Sequence, residues 1–136
     1  MPTQPTPEQF QKLFETAPSG PLIMLNLLKF KKKAEYADGR ETDLTGAEAY
    51  GIYGALMKAR IEADGGRLSV SLETNTLVIG DGDLEWDAVA IAEYANLDNF
   101  REIVSSPEYR EMHVHRDAGL AHQLLINCKS PVTLNR

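Results

Sequence analysis

The chain has 136 residues, of which 43% are hydrophobic and 25% charged, and its net charge is −6. These values are typical of one globular domain and exclude a disordered chain, a collagen-like repeat and a coiled coil. The acidic charge disfavours nucleic acid and membranes as partners, and the single cysteine excludes an intrachain disulfide, so we expect a reducing, cytoplasmic location. Pro21–Phe30 is too short to cross a bilayer, and Met1–Glu15 does not resemble a signal peptide.

The first third of the chain predicts a helix, a strand and a long loop. In Pro5–Pro18, apolar residues at helical spacing follow a capping threonine and a proline, which predicts a short helix. Pro21–Phe30 is apolar at nearly every position, as is typical of a strand buried on both faces. Lys31–Leu44 is polar and predicts a surface loop. The basic run Lys29–Lys33 is either a solvated segment or one that steers anions.

The clearest helix is predicted over Thr45–Asp64. Thr45 is followed three residues later by Glu48, the spacing of a capping box. Gly51 and Gly54 lie inside this helix, and each costs about 1 kcal/mol relative to alanine. We therefore expect the helix to lie close against a sheet at these two positions.

The second half of the chain predicts a hairpin, more helix and a last strand. Arg67–Ile79 alternates loosely in polarity and predicts a strand with a polar interruption at Glu73–Thr76. Trp86–Tyr94, after a glycine-rich turn, predicts a second strand that pairs with the first as a hairpin. Leu97–Val104 has helical spacing, and Glu108–Asp117 predicts a further turn or two of helix. Leu120–Cys128 is the last predicted strand.

The order of elements is one helix followed by β-α-β-β-α-β, which predicts an α+β, ferredoxin-like fold with an antiparallel sheet and an extra N-terminal helix. Residues 1–20 form the helical extension, 21–128 the domain and 129–136 a tail. Helices in such a fold cover one face of the sheet, whereas the predicted strands are apolar on both faces. We therefore expect a two-fold homodimer whose sheets pack face to face and enclose a barrel-like interior.

Six segments, in the same order along the chain, are similar to one known family. They are Met24–Lys31, Thr45–Gly54, Gly65–Arg67, Trp86–Tyr94, Ser106–Tyr109 and His115–Leu120. Together they resemble domain-of-unknown-function family 1330, of the dimeric α/β-barrel superfamily. The resemblance covers residues 21–128 and implies a dimer, but it implies no reaction. The superfamily includes cofactor-free monooxygenases, lactone isomerases, haem-degrading enzymes and stress-related binding domains.

Several polar residues stand where an apolar core does not need them. Asn26 lies in the middle of the first strand, so it either binds a ligand or is a structural amide bonded to its neighbours. His115 can act as an acid or base and Arg116 can hold an anionic oxygen; the resemblance implies that both lie at the mouth of the pocket. Alternatively, Arg116 pairs with Glu93. Glu93 is a candidate base if it faces the interior.

Two aromatic residues are candidates for substrate binding. Tyr53 lies on the stripe of the main helix and Trp86 begins a strand, and core packing is the alternative for both. The spacing of His113, His115 and His122 matches no metal motif, so we expect no native metal site and no cofactor.

The sequence leaves two functions open. In the first, the protein is a cofactor-independent, monooxygenase- or isomerase-like enzyme acting on a small organic acid, phenol or lactone held in the barrel. His115 would then move a proton, Arg116 would hold negative charge and Asn26 would orient an oxygen. In the second, it is a non-catalytic dimeric ligand-binding or stress-related domain, with haem as one ligand and His113 or His115 as the axial candidate.

Overall fold

The computed structural model describes residues 2–129, which form four helices and one four-stranded sheet. In chain order the elements are α1 (Pro7–Thr16), β1 (Leu22–Phe30), α2 (Gly46–Ala63), β2 (Arg67–Glu73), β3 (Ala88–Tyr94), α3 (Leu97–Ser105), α4 (Pro107–Gly119) and β4 (Leu120–Cys128). All strand pairs are antiparallel, in the order β2-β3-β1-β4. This confirms the predicted ferredoxin-like α+β fold with an extra N-terminal helix. Of the predicted tail, residues 130–136 lie outside the described part of the chain.

Two capping boxes begin α1 and α2 where the sequence predicts them. The Thr6 hydroxyl accepts the Gln9 N–H at 3.1 Å, and the Gln9 side chain accepts the Thr6 N–H at 2.9 Å. Thr45 and Glu48 form the same pair of bonds at 3.0 and 2.9 Å. Because these bonds satisfy amides that a first helical turn leaves unpaired, both helices start at a defined residue.

One face of the sheet is covered by the helices. On that face Leu22 and Met24 of β1 pack against Tyr53, Met57 and Ile61 of α2, and further apolar residues from α3 and α4 complete the core. Each apolar side chain buried in this way stabilises the fold by about 1.5–3 kcal/mol. The core therefore fixes which side of β1 turns towards the helices.

The other side of the sheet, which we call the open face, carries two apolar rows that each cross all four strands. The strand register gives these rows as Leu72–Val89–Leu27–Leu124 and Val70–Ile91–Leu25–Ile126. None of these side chains is buried. The predicted second apolar face is therefore present, and within residues 2–129 no other element buries it.

Strand β2 ends at Glu73 rather than at Ile79, so the sequence prediction is wrong for its second half. The ladder between β2 and β3 stops at the pair Glu73–Ala88. Thr74 closes it by donating its N–H and its hydroxyl to two carbonyls of the returning chain. Beyond that point the chain leaves the sheet, and Val78 and Ile79 are 85% and 91% exposed. Leu77, Val78 and Ile79 follow the polar segment 73–76, and among the described residues no strand pairs with them.

The glycines of α2 have different roles from those expected. The backbones of α2 and α4 approach closely at Gly46 and Gly119, where a Cβ added to Gly119 would lie 2.1 Å from the Gly46 carbonyl oxygen. At Gly51 and Gly54 an added Cβ would meet no atom within 4 Å, so the expected close contact with a sheet is wrong there. These two residues weaken the helix by about 1 kcal/mol each and leave empty space beside it.

Candidate functional site

A cavity of about 480 Å³, which we call the main cavity, lies between the helices and the covered face of the sheet. Its apolar walls come mainly from α1, α3 and the sheet, and include Phe10, Phe14, Met24, Phe100, Val104 and Leu125. Its polar groups come mainly from α2, α4 and the sheet, and include Asn26, Tyr50, Tyr53, Tyr94, Tyr109, His113, Arg116 and Gln123. The cavity is therefore within one chain and on the face opposite to the open face.

Arg116 organises the polar end of the main cavity. Its side chain is only 9% exposed. Its Nη2 donates to Gln123 Oε1 at 2.7 Å and also to the backbone carbonyl of Thr3. Gln123 in turn donates to Asn26 Oδ1 at 2.7 Å. Because a buried charge is unfavourable without such partners, this network ties together α4, β4, β1 and the N-terminal segment.

Asn26 is fully occupied within the chain although its side chain lines the cavity. Its amide nitrogen donates to the carbonyls of Met24 and Ala90, both at 3.3 Å, and its oxygen accepts from Gln123. The structural interpretation therefore describes its hydrogen bonds. A ligand-binding role for Asn26 stays a prediction.

His113 stands beside Arg116 with one ring nitrogen towards a carboxylate. Nδ1 lies 3.0 Å from Asp117 Oδ2, and Nε2 faces Arg116 Nη1 at 3.4 Å and Gln4 Nε2 at 3.2 Å. Both neighbours of Nε2 are donors, so we assign the ring proton to Nδ1 and make Nε2 the acceptor. Burial lowers the pKa of His113; Asp117 opposes this shift and Arg116 adds to it. The imidazole is therefore a neutral proton acceptor near neutral pH.

Four of the five tyrosines line the main cavity: Tyr50, Tyr53, Tyr94 and Tyr109. Burial raises the pKa of Tyr50 to about 12 and also raises the pKa values of Tyr53 and Tyr94. Their hydroxyls therefore stay protonated at physiological pH. The Tyr53 and Tyr109 oxygens lie 3.4 Å apart. The Tyr50 and Tyr94 hydroxyls form no hydrogen bond with another residue in the range 2–129, so they can donate to a ligand.

Three of the predicted site residues line this cavity. A fourth is next to a lining residue in the sequence but does not itself reach the cavity. Asn26, Tyr53 and Arg116 line the main cavity. His115 does not line it, although it follows His113 closely on α4. Instead, His115 Nδ1 lies 2.7 Å from the Tyr36 hydroxyl.

The remaining two predicted residues lie towards the open face. Glu93 pairs with Arg67 at 3.0 Å across β2 and β3, so it does not form the alternative ion pair with Arg116. The Trp86 ring packs edge-on against His122, with ring centroids 5.3 Å apart. Catalytic or binding roles for His115, Glu93 and Trp86 stay predictions from the sequence.

Two polar residues of the main cavity, His113 and Gln123, were not predicted from the sequence to line it. His113 was considered only as a metal or haem ligand. The signal was nevertheless present, because His113, Arg116 and Asp117 are three and four residues apart and so share one side of a helix. His115 falls on another side of the same helix. The position of Gln123 depends on the pairing of β4 with β1, which no local pattern gives.

A second cavity, of about 360 Å³, lies under the other edge of α2, beside β2 and β3; we call it the side cavity. Gly51 and Gly54 contribute to its wall, which explains the empty space next to them. The residues that line both cavities are Asn26, Tyr50, Tyr53 and Tyr94. The two cavities therefore adjoin, with these side chains between them.

Comparison with known proteins gives a family. The model of a domain of unknown function, DUF1330, matches residues 34–127, more than half of the chain. The chain belongs to the DUF1330 family. Two crystal structures of RPA0582, a protein of unknown function from Rhodopseudomonas palustris, resemble this DUF1330 chain over nearly its whole length. The methylated form is 38% identical over 99% of this chain and 98% of that one, with a TM-score of 0.86. The other is 35% identical over 96% and 97%, with a TM-score of 0.83.

Two more distant structures resemble the DUF1330 chain only weakly. One is a dimeric protein of unknown function with a ferredoxin-like fold from Bacteroides fragilis, 15% identical over 81% of this chain and 96% of that one, with a TM-score of 0.41. The other is SnoaB, a cofactor-independent oxygenase from Streptomyces nogalater, 13% identical over 85% and 98%, with a TM-score of 0.45. At this level, neither informs the chemistry of this protein. Among curated proteins, none matches the chain.

Two structural observations bear on other kinds of partner. Between residues 2 and 129, no helix combines the length and apolar character needed to cross a membrane. Over the same range, histidine, cysteine, aspartate and glutamate side chains form no group of three or more that could hold a metal ion.

We predict that His113 in the folded protein titrates below the ordinary histidine pKa of about 6.5. The unfolded chain then takes up this proton first on acidification, so the free energy of unfolding falls as pH drops through about 6.5 and on through the folded pKa. Asp117→Asn should lower the pKa of His113 further, because the carboxylate favours the charged ring. NMR titration of the ring protons and urea unfolding at a series of pH values measure the two effects.

The matched control is His113→Gln, which should weaken the dependence of stability on pH below neutrality. A folded His113 pKa above 6.5, or an upward shift in Asp117→Asn, would contradict the assigned surroundings of the ring.

Proposed function

We propose that the main cavity binds one small organic acid or phenol, with its apolar body against the aromatic wall and its oxygen at the polar end. The observation that carries this proposal is the buried Arg116 guanidinium at the polar end of the cavity. The chain meets this cation with the neutral acceptors of Thr3, Gln123 and His113. It also meets it with Asp117, which lies 3.3 Å away and is half-exposed. An anionic oxygen is the group that such a planar, charged donor favours.

The shape of the cavity agrees with a small aromatic ligand. A volume of about 480 Å³ lies within the range of about 300–1,000 Å³ that is usual for small-molecule pockets. Phe10 and Phe14 stack with ring centroids 5.7 Å apart, and Tyr94 meets Phe100 edge-on at 4.9 Å. Such rings favour a flat, apolar partner. Protonated tyrosine hydroxyls add neutral donors, which suit oxygen acceptors.

A cofactor-independent proton transfer is a second candidate function, favoured by the pairing of Asp117 with His113. In this reaction His113 Nε2, once released by Gln4 and by Arg116 Nη1, takes a proton from the carbon next to a ligand carbonyl. The C–H electron pair becomes the enolate, whose oxygen lies towards Arg116, and the proton returns to carbon or exchanges with water. Here His113 takes the role that the sequence analysis gives to His115.

The binding proposal is tested with benzoate and phenol as probes, measured by calorimetry. We expect both to bind the wild type, and benzylammonium, a cation of similar size, not to bind. Arg116→Lys should weaken benzoate binding about tenfold to a hundredfold, because lysine keeps the charge but loses the planar pair of donors. His115→Gln, outside the cavity, should bind as the wild type does. If the folded wild type binds neither benzoate nor phenol at millimolar concentration, the proposal is wrong.

The proton-transfer candidate is tested with phenylpyruvate in deuterated water, following loss of the proton next to the carbonyl by NMR. We expect His113→Gln to slow the protein-dependent exchange about a hundredfold or more, with benzoate binding retained. His115→Gln should exchange at the wild-type rate. The reverse pattern would restore His115 as the base, and a wild type without exchange would leave binding as the function.

We also propose that two copies of the chain pair through the open face to form a homodimer. A continuous apolar surface of this kind is unusual on a lone subunit and typical of an interface. It lies opposite the helices, so two sheets can meet face to face around a two-fold axis. The main cavity lies on the covered face, and each subunit therefore keeps a complete ligand site.

The dimer is tested by sedimentation of Ile126→Glu, which places a charge in an open-face row. The matched control is Leu56→Glu on the outer surface of α2, because Ile126 and Leu56 are both 44% exposed. We expect the wild type and Leu56→Glu to sediment as dimers, and Ile126→Glu as a folded monomer that still binds benzoate. A monomeric wild type at micromolar concentration and above would contradict the proposal.

A further inference from the structure

We propose that the main and side cavities together form one site for an elongated ligand. The acid or phenol head lies at Arg116, an oxygen in the middle meets the hydroxyls of Tyr50 and Tyr94, and an unbranched aliphatic arm occupies the side cavity. The position of the head group rests on the proposed function above. The middle oxygen and the arm are new requirements on the ligand.

The main and side cavities adjoin. Both cavities lie on the covered face of the sheet, and Asn26, in the middle of β1, lines both of them. Tyr50 and Tyr53 of α2 lie between the two cavities, with ring centroids 5.3 Å apart. The Tyr50 ring also packs against Phe30, and its hydroxyl has no hydrogen bond to another residue in the described part of the chain. A ligand that occupies both cavities would pass under α2 by displacing this ring.

The side cavity has a mainly apolar lining. Its floor is the row of small alanines on the helix-facing side of β3: Ala88, Ala90 and Ala92. Its only charged lining residue among those described is Lys58, which lies 3.8 Å from Glu62. A space lined mainly by small, aliphatic and aromatic side chains favours a hydrocarbon arm and disfavours a second charge.

Two glycines of α2 leave the wall of the side cavity open. Neither Gly51 nor Gly54 has positive φ, and neither has an atom within 4 Å of an added Cβ. Backbone conformation and close contact therefore do not require glycine at these positions, although glycine weakens a helix. What both residues supply is room at the wall of the side cavity.

The Tyr94 hydroxyl at the junction of the two cavities has no partner in the described part of the chain. Tyr94 lines both cavities, and its hydroxyl bonds to no other residue between 2 and 129. A tyrosine hydroxyl that faces a cavity in this way can donate to a ligand. An ether, ester or carbonyl oxygen in the middle of the ligand would accept from this group.

The inference is tested with a series of 4-alkoxybenzoates from methoxy to hexyloxy, which carry the carboxylate, the central oxygen and an arm of increasing length. For the wild type we expect the dissociation constant to fall roughly twofold to fourfold with each added methylene until the side cavity is full. In Gly54→Leu the methoxy compound should bind as in the wild type, and longer arms should give no gain. Ala59→Leu, an exposed change on the same helix outside both cavities, should behave as the wild type.

A second measurement needs no variant. In the wild type the arm should shift the methyl NMR signals of Ala88, Ala90 and Ala92, and leave those of Ala34 and Ala118, which are buried elsewhere, unchanged. If the methoxy compound binds but affinity does not rise with length, or the β3 methyl signals do not move, the inference is wrong and the proposed function stands. If no member of the series binds, the proposed function itself fails.

Discussion

The buried cation of Arg116 is the constraint on which the site depends. A guanidinium cannot give up its proton to avoid burial, so the chain has to supply acceptors around it. Those acceptors come from distant parts of the sequence: Thr3 in the N-terminal segment and Gln123 at the start of β4. Gln123 then holds Asn26, which bonds to the backbones of β1 and β3. One charged group thus fixes the polar end of the cavity and the segment that closes it.

The two faces of the sheet carry different features. The covered face carries the core, the two cavities and the polar network within a single chain. The open face carries the two apolar rows, and of their residues only Val89 lines a cavity. This is the surface that a second subunit would bury. Because successive residues of a strand point to opposite faces, Asn26 belongs to the ligand side, and its neighbours Leu25 and Leu27 belong to the assembly side. The proposed ligand site and the proposed dimer interface therefore lie on separate faces of the sheet.

Local patterns predicted most of the fold and failed where a partner strand or a neighbouring element was needed. The capping boxes at Thr6 and Thr45 begin helices because all the groups involved lie within four residues. The predicted end of β2 was wrong because a strand continues only as far as another strand pairs with it. Gly51 and Gly54 were assigned to a close contact, whereas they border a cavity. A glycine has no side chain, but the sequence does not tell whether the space beside it is filled by neighbouring backbone or left as a cavity.

By itself, the sequence determined the order of elements, the ferredoxin-like fold and the existence of a second apolar face, since these follow from periodicity, caps and turns. It also gave Asn26, Tyr53 and Arg116 as candidate site residues, and these three line the main cavity. Only the tertiary structure decided that this cavity lies under the helices and that His113, not His115, lines it. Two residues that are two positions apart on a helix point about 200° apart. Which of them meets the cavity depends on how α4 is rotated against the sheet, and packing across the whole domain sets that rotation.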